Sequence, residues 1–103
     1  MINLLTETLQ VIESNYLSVN DIVYIGTRDG KYSCCWEEFK VLADKSYYNG
    51  YGGVDVNPAL IIVFKGGEEL HRGEYDGSEW WDLWKPFKVP DNTEPLTEIF
   101  GLF

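Results

Sequence analysis

The sequence is poor in basic residues. Its 103 residues include eight Lys and Arg against 17 Asp and Glu, which gives a formal net charge of −9. A protein that binds nucleic acid directly needs a basic face against the phosphates, so we expect no direct nucleic-acid binding. Apolar residues still make up 45% of the chain and aromatic residues 16%. Acidic disordered tails lack that apolar mass, so the composition predicts a folded acidic domain.

Cysteine and histidine are also scarce. The two cysteines, Cys34 and Cys35, are adjacent, and a neighbouring pair does not make a disulfide framework. His71 is the single histidine, which is too few for a zinc site or a His-based triad. Asp55–Asn57 and Asp76–Glu79 carry oxygen ligands, but neither has the spacing of a calcium loop. We therefore expect no metal, no cofactor and no catalytic residue, and we predict that the protein is not an enzyme.

Long apolar runs are missing as well. No stretch approaches the roughly 20 apolar residues of a membrane-spanning helix. The segment Met1–Gln10 contains no Lys or Arg, whereas a signal peptide begins with a positively charged region. We expect a cytoplasmic protein with reduced cysteines and no membrane contact.

Apolar spacing predicts two helices. In the first, Asn3 is the predicted N-cap, and Glu7 is expected on the water-facing side. The second is expected to run from a cap at Ser33 to about Lys45. The stripe of the first helix recurs at steps of three and four: Ile2, Leu5, Leu9, Ile12 and Tyr16. The inner stripe of the second helix is Trp36, Phe39 and Leu42.

Three tight-turn signals separate strand-like segments, at Asp29-Gly30, Gly66-Gly67 and Asp76-Gly77. Tight turns join antiparallel strands. The expected strands are Asp21–Thr27, Lys31–Cys34, Leu60–Phe64, Glu68–Tyr75 and Ser78–Trp84. The prediction is an α+β fold, with an antiparallel sheet of about five strands (a hairpin plus a three-stranded meander) and two helices packed on one face.

The chain is expected to form one domain over residues 1–88 and a Pro-containing C-terminal arm over residues 89–103. The arm ends in the apolar segment Leu96–Phe103, which should not stay in water. It is expected to dock either on its own sheet or on another chain, and the second arrangement would make a homodimer.

Two aromatic clusters are candidate binding sites. Strand alternation sends Trp80, Trp81 and Trp84 to opposite faces, of which one is core and the other is either covered by the arm or free to bind. The Tyr47–Asn57 loop is rich in Tyr, Gly and Asn, which binding loops use, although a plain flexible loop fits it equally well. The predicted partner-binding residues are Tyr47, Tyr48, Tyr51, Asp76, Glu79, Trp80 and Trp84.

Several segments resemble small uncharacterised acidic proteins encoded by phages and prophages of Gram-positive bacteria. The resemblance covers about residues 20 to 88, and its distinctive part is the Glu-Tyr-Asp-Gly-Ser-Glu-Trp-Trp run at Glu74–Trp81. It also includes Asp21–Gly26, Trp36–Phe39 and Asn49–Gly53. The resemblance implies a phage setting and carries over no active site. Small acidic phage proteins include inhibitors of host defence such as anti-CRISPR proteins.

Three functions are consistent with these features. The leading hypothesis is a non-enzymatic inhibitor that binds a basic, nucleic-acid-handling host protein, because a dense carboxylate surface steers association with a basic partner. An alternative is a protein that sequesters a nucleotide signal between aromatic rings, for which Arg28, Arg72 and Lys85 would have to converge on the phosphates. A further alternative is a structural or regulatory phage homodimer that is closed by Leu96–Phe103.

Overall fold

A computed structural model describes residues 1–50, 53–86 and 91–98 of the chain. The helices in this part are α1 (Leu4–Ser14) and α2 (Trp36–Leu42), with a short 3-10 turn at Val19–Asp21. The strands are β1 (Ile2–Asn3), β2 (Ile22–Thr27), β3 (Ser33–Cys34), β4 (Ser46–Tyr47), β5 (Leu60–Phe64), β6 (Glu69–Tyr75) and β7 (Ser78–Trp84).

Five strands form one antiparallel sheet in the order β3-β2-β5-β6-β7, and β1 pairs with β4 in a separate two-stranded sheet. The predicted α+β fold with a five-stranded antiparallel sheet is therefore confirmed. The apolar strand β5 lies at the centre, as its unbroken hydrophobic run predicts. The two-stranded sheet was not predicted, because two-residue strands leave no periodic signal in a sequence.

The β6–β7 hairpin closes through the turn that the sequence predicts. Asp76 has a φ of 52° and Gly77 a φ of 85°. Positive φ at both central residues is typical of the type I′ turn, whose twist matches that of the flanking strands. The turn fixes the register, in which Tyr75 pairs with Ser78 and Glu69 pairs with Trp84.

One face of the sheet packs on both helices, and we call it the inner face. Ile25, Ile62 and Leu70 are in register across β2, β5 and β6, and all three are buried in the core. The core cluster also contains Ile12 of α1 and Phe39 of α2, which places both helices on this face. Because side chains alternate along each strand, His71, Trp80, Asp82 and Trp84 belong to the opposite face, the outer face.

The N-terminal helix differs from its prediction in two respects. Its predicted stripe begins at Ile2, which instead pairs with Tyr47 as part of β1, and ends at Tyr16, which lies beyond the helix and is exposed. Glu7, expected in water, is buried. Its carboxylate has polar partners on neighbouring elements, and those partners make the burial of a charge tolerable. Asn3 is confirmed as the N-cap, because its side chain accepts the Thr6 backbone N–H at 2.9 Å.

The second helix begins later than predicted. Ser33 cannot cap it, because Ser33 and Cys34 pair with Gly26 and Ile25 as strand β3. The N-cap is Cys35, whose backbone N–H donates to the Glu38 carboxylate at 3.0 Å. The helix ends at Leu42, which was expected inside but is 63% exposed. The inner position at this end is filled by Ala43.

The predicted division into a domain and a C-terminal arm is described only in part. Residues 91–98 have no helix or strand and are exposed, including Leu96. The boundary near residue 88 and the apolar residues 99–103 lie outside the described residues. Docking of the arm and a homodimer closed by it therefore remain predictions.

Candidate interaction surface

A buried polar network lies between α1 and the inner face of the sheet. Arg72 of β6 donates through Nη2 to the Tyr47 hydroxyl at 2.9 Å and to Glu79 Oε1 at 3.2 Å. The Tyr47 hydroxyl in turn donates to Glu7 Oε1 at 2.6 Å. The network thus joins β4, β6, β7 and α1 through charge-assisted hydrogen bonds, which are stronger than neutral ones. Its members are Glu7, Tyr47, Arg72 and Glu79.

Glu79 also holds the segment that follows β4. Its carboxylate accepts the backbone N–H of Asp55 at 2.7 Å and that of Val56 at 3.1 Å. The Glu79 N–H donates to the Asn49 carbonyl at 3.0 Å. Asn49 on one side and Asp55 and Val56 on the other are therefore hydrogen-bonded to the same residue of β7. Glu79 is 2% exposed, so its carboxylate makes its contacts inside the fold.

Burial and the hydrogen bond to Glu7 raise the pKa of Tyr47 to about 12. The hydrogen bond from Arg72 acts in the opposite direction on this pKa. Because an ionised phenolate would be poorly solvated beside the Glu7 carboxylate, Tyr47 is held as a neutral hydroxyl. In that form it donates to Glu7 while accepting from Arg72.

Trp80 is held on the outer face by its neighbours. Its indole Nε1 donates to Asp82 Oδ1 at 2.9 Å, two residues further along β7. Its ring lies over Gly73 of β6, where an added Cβ would come within 2.6 Å of Nε1. One ring face is thus packed on the backbone, and the residue is still 37% exposed. This geometry presents the free ring face in a fixed orientation.

Trp84 is held in a similar way. Its ring is tilted on the His71 ring with centroids 4.3 Å apart, and the Arg28 guanidinium lies 5.7 Å from its centroid. Arg28 itself is paired with Glu69. Trp84 remains 58% exposed. Trp80, Asp82 and Trp84 therefore form a row along the outer face of β7, with a half-exposed carboxylate between two indoles. We call this row the outer strip.

The outer strip continues into the segment Gly73–Asp82 around the β6–β7 turn, which we call the acidic hairpin. The ten residues Gly73–Asp82 contain four carboxylates and no Lys, Arg or His. Glu74 and Asp76 at the turn are exposed, as is Tyr75. Of these acids, Glu79 belongs to the buried network and faces inward. Negative charge and exposed aromatic rings therefore coincide at this end of the sheet.

The predicted partner-binding residues fall into three groups. Asp76, Trp80 and Trp84 lie on the acidic hairpin and its outer strip, and Tyr48 is exposed close to the start of the loop. Tyr47 and Glu79 are buried. These two side chains hold the interior network together and do not reach the surface of this structure, and their contact with a partner stays a prediction. Tyr51 lies outside the described residues.

Sequence reasoning missed Glu7, Arg72 and the network they form. A signal was present in the strand alternation. Arg72 has the same parity as the core residue Leu70, and Glu79 has the same parity as Trp81. Once Leu70 and Trp81 are taken as core, Arg72 and Glu79 must also face inward, and opposite charges at two inward positions indicate a buried pair.

The nucleotide hypothesis requires three cations to converge. Arg72 lies on the inner face and is buried, whereas Arg28 lies against Trp84 on the outer face. A sheet separates the two guanidinium groups, so Arg28, Arg72 and Lys85 cannot meet around one phosphate. The geometric basis of that alternative is therefore lost.

Comparisons with protein families, with curated proteins and with solved structures found no match. Across residues 1–50, 53–86 and 91–98, no three or more His, Cys, Asp or Glu side chains are grouped to hold a metal ion. No helix in the described part of the chain has the length and apolarity to cross a membrane.

Proposed function

We propose that this chain is a non-enzymatic binding protein that docks through its acidic hairpin on a basic surface of another protein. The observation that carries the proposal is the outer strip. Two indoles, each packed on one side, stay exposed. The segment Gly73–Asp82 beside them contains no basic residue, and three of its four carboxylates reach the surface. Trp is one of the three residue types that are enriched at the energetic hot spots of protein interfaces.

The charge distribution supports a basic partner. The chain carries a net charge of −9, and an acidic surface accelerates encounter with a positively charged one. Asp76 and Glu74 are exposed at the turn and would act mainly on the rate of association. The two Trp residues would act on dissociation, because buried aromatic contacts dominate the lifetime of a complex.

In a narrower form, the proposal makes the chain a phage accessory protein in the cytoplasm of a bacterial host. It would inhibit a nucleic-acid-handling defence protein by occupying the basic site where phosphates bind. The net charge and the resemblance of residues 20–88 to phage proteins support this form. Because the carboxylates replace phosphates in it, binding of this chain and of nucleic acid to the partner should exclude each other.

The test is a comparative capture experiment. The purified chain is immobilised, a bacterial lysate is passed over it, and bound proteins are eluted with rising NaCl. A second column carries a hairpin variant with Asp76→Asn, Asp82→Asn and Trp84→Ala. Asn suits the positive φ of position 76 and can still accept the Trp80 hydrogen bond at position 82. We expect a basic protein on the wild-type column that is absent from the variant column.

A matched control removes the same charge and one exposed aromatic ring elsewhere. The control variant is Glu13→Gln, Glu37→Gln and Tyr32→Ala, whose positions are exposed on α1, on α2 and beside β3. It should capture the same basic protein as the wild type. Loss of a Trp anchor costs at least about 2 kcal/mol, roughly thirtyfold in affinity. Equal capture by the hairpin variant, or a captured protein that is acidic, would contradict the proposal.

A further inference from the structure

We propose that the edge of β7 at Trp81–Leu83 receives an extended, basic segment of the partner as an added antiparallel strand. The inference rests on the proposed function and specifies how the partner binds. Strand β7 is the last strand of the five-stranded sheet, and none of the described strands pairs with its far side. A free sheet edge offers a row of backbone donors and acceptors to another chain.

The outward-facing backbone groups of β7 can be assigned. In an antiparallel ladder, alternate residues bond to the neighbouring strand and the residues between them face away. The Glu79 N–H donates to Asn49 rather than to β6, so Glu79 faces away from β6. By alternation, Trp81 and Leu83 face the same edge. Within the described residues, neither of their N–H groups has a hydrogen-bond acceptor.

The side chains beside this edge define what an added strand should carry. A new strand would lie about 4.8 Å from β7, with its outer-face side chains next to the outer strip. Asp82 is half exposed between Trp80 and Trp84. A Lys or Arg opposite Asp82 would form a cross-strand ion pair and would lie near two indole faces that attract cations. The geometry therefore fits a segment that alternates basic and apolar residues.

A second copy of this chain is a poorer occupant of the edge. Each copy carries a net charge of −9, and the strand that would be added is Ser78–Trp84, which contains two acids and no Lys or Arg. Pairing two such edges brings like charges together without a cation to offset them. Charge complementarity thus favours a basic segment of another protein.

The test uses synthetic peptides of alternating Lys and Val, acetylated and amidated at their ends. One peptide is unmodified, one is N-methylated at every Val, and one is N-methylated at every Lys. With Lys opposite Asp82, the Val amides pair with Trp81 and Leu83 and the Lys amides point away. We expect N-methylation at Val to weaken binding roughly tenfold or more, because two hydrogen bonds are lost, and N-methylation at Lys to have little effect.

Amide hydrogen exchange supplies the second readout. The unmodified peptide should slow exchange at Trp81 and Leu83 by roughly tenfold or more. Salt-dependent binding that is equal for all three peptides would overturn strand addition and leave the proposed docking surface standing. Absence of binding by the unmodified peptide would also overturn it, while the capture experiment would still decide the proposed function. A different result would assign the edge to a second copy instead: exchange at these amides that is already slow without peptide and becomes slower as the protein concentration is raised.

Discussion

Replacing Glu79 by Ala should destabilise the fold more than any exposed substitution, because several elements meet at this carboxylate. Glu79 is 2% exposed and accepts hydrogen bonds from Arg72 and from the backbone of Asp55 and Val56. The substitution leaves a buried guanidinium without this partner and two loop N–H groups without acceptors. Breaking a buried ion pair from one side costs about 3–5 kcal/mol, so we expect a loss of about 4 kcal/mol.

Urea unfolding followed by Trp fluorescence measures this loss, because the indole of Trp81 is buried in the core. With a slope of about 1.5 kcal/mol per molar urea, the midpoint should fall by about 2.7 M. Glu13→Ala on the exposed side of α1 is the matched control and should stay within about 0.5 kcal/mol of the wild type.

A double replacement separates the charge effect from packing. Replacing Arg72 and Glu79 together by Met removes both members of the ion pair, so the double variant should cost less than the sum of the two single Met replacements. The reasoning is refuted if Glu79→Ala lies within about 1 kcal/mol of the wild type. It is also refuted if the two single Met variants and the double variant are strictly additive, because additivity means no coupling between the two side chains.

Three further outcomes follow from particular contacts. The pKa of Tyr47 is raised from 10.0 to about 12, so Tyr47 ionises at lower pH in the unfolded chain than in the folded one. The free energy of unfolding should therefore fall as pH rises from 10.0 to about 12. Tyr47→Phe should lack this part of the pH dependence in unfolding curves measured across the same range. Gly73→Ala would place a Cβ within 2.6 Å of Trp80 Nε1 and should displace the exposed ring, seen as stronger acrylamide quenching and weaker partner binding with little change in the urea midpoint. Asn3→Ala removes the cap of α1 and should cost about 1 kcal/mol, or roughly 4–8 °C in Tm, read by circular dichroism.

The sheet was predictable from the sequence because its hairpins are encoded locally. Asp76-Gly77 adopts positive φ at both residues, which few other pairs tolerate. The apolar run of β5 likewise predicts a central strand, and the parity of Trp81 and Leu83 correctly separates them from Trp80 and Trp84. Boundaries were less predictable, since Ser33 fitted both the end of a strand and the cap of α2, and the structure places it in β3, paired with Gly26.

The candidate site was only partly predictable, because burial of a charge depends on partners far away in the sequence. Glu7 lies 40 residues from Tyr47, its hydrogen-bond partner, and helical periodicity alone places an acid in water. Tyr47 was predicted to bind a partner as part of a Tyr-rich loop, and Glu79 as an acidic side chain, because neither pattern shows the interior partners of these two residues. The exposure of Trp80 and Trp84 could not be read from alternation, which separates two faces without saying which of them stays uncovered.

The measurement that tests the central claim most directly is hydrogen–deuterium exchange of this chain with and without its captured basic partner. Docking through the acidic hairpin predicts that protection on binding is concentrated in Gly73–Trp84 and weakens as NaCl is raised. Protection confined to α1 or α2, with the exchange of Gly73–Trp84 unchanged, would contradict the account.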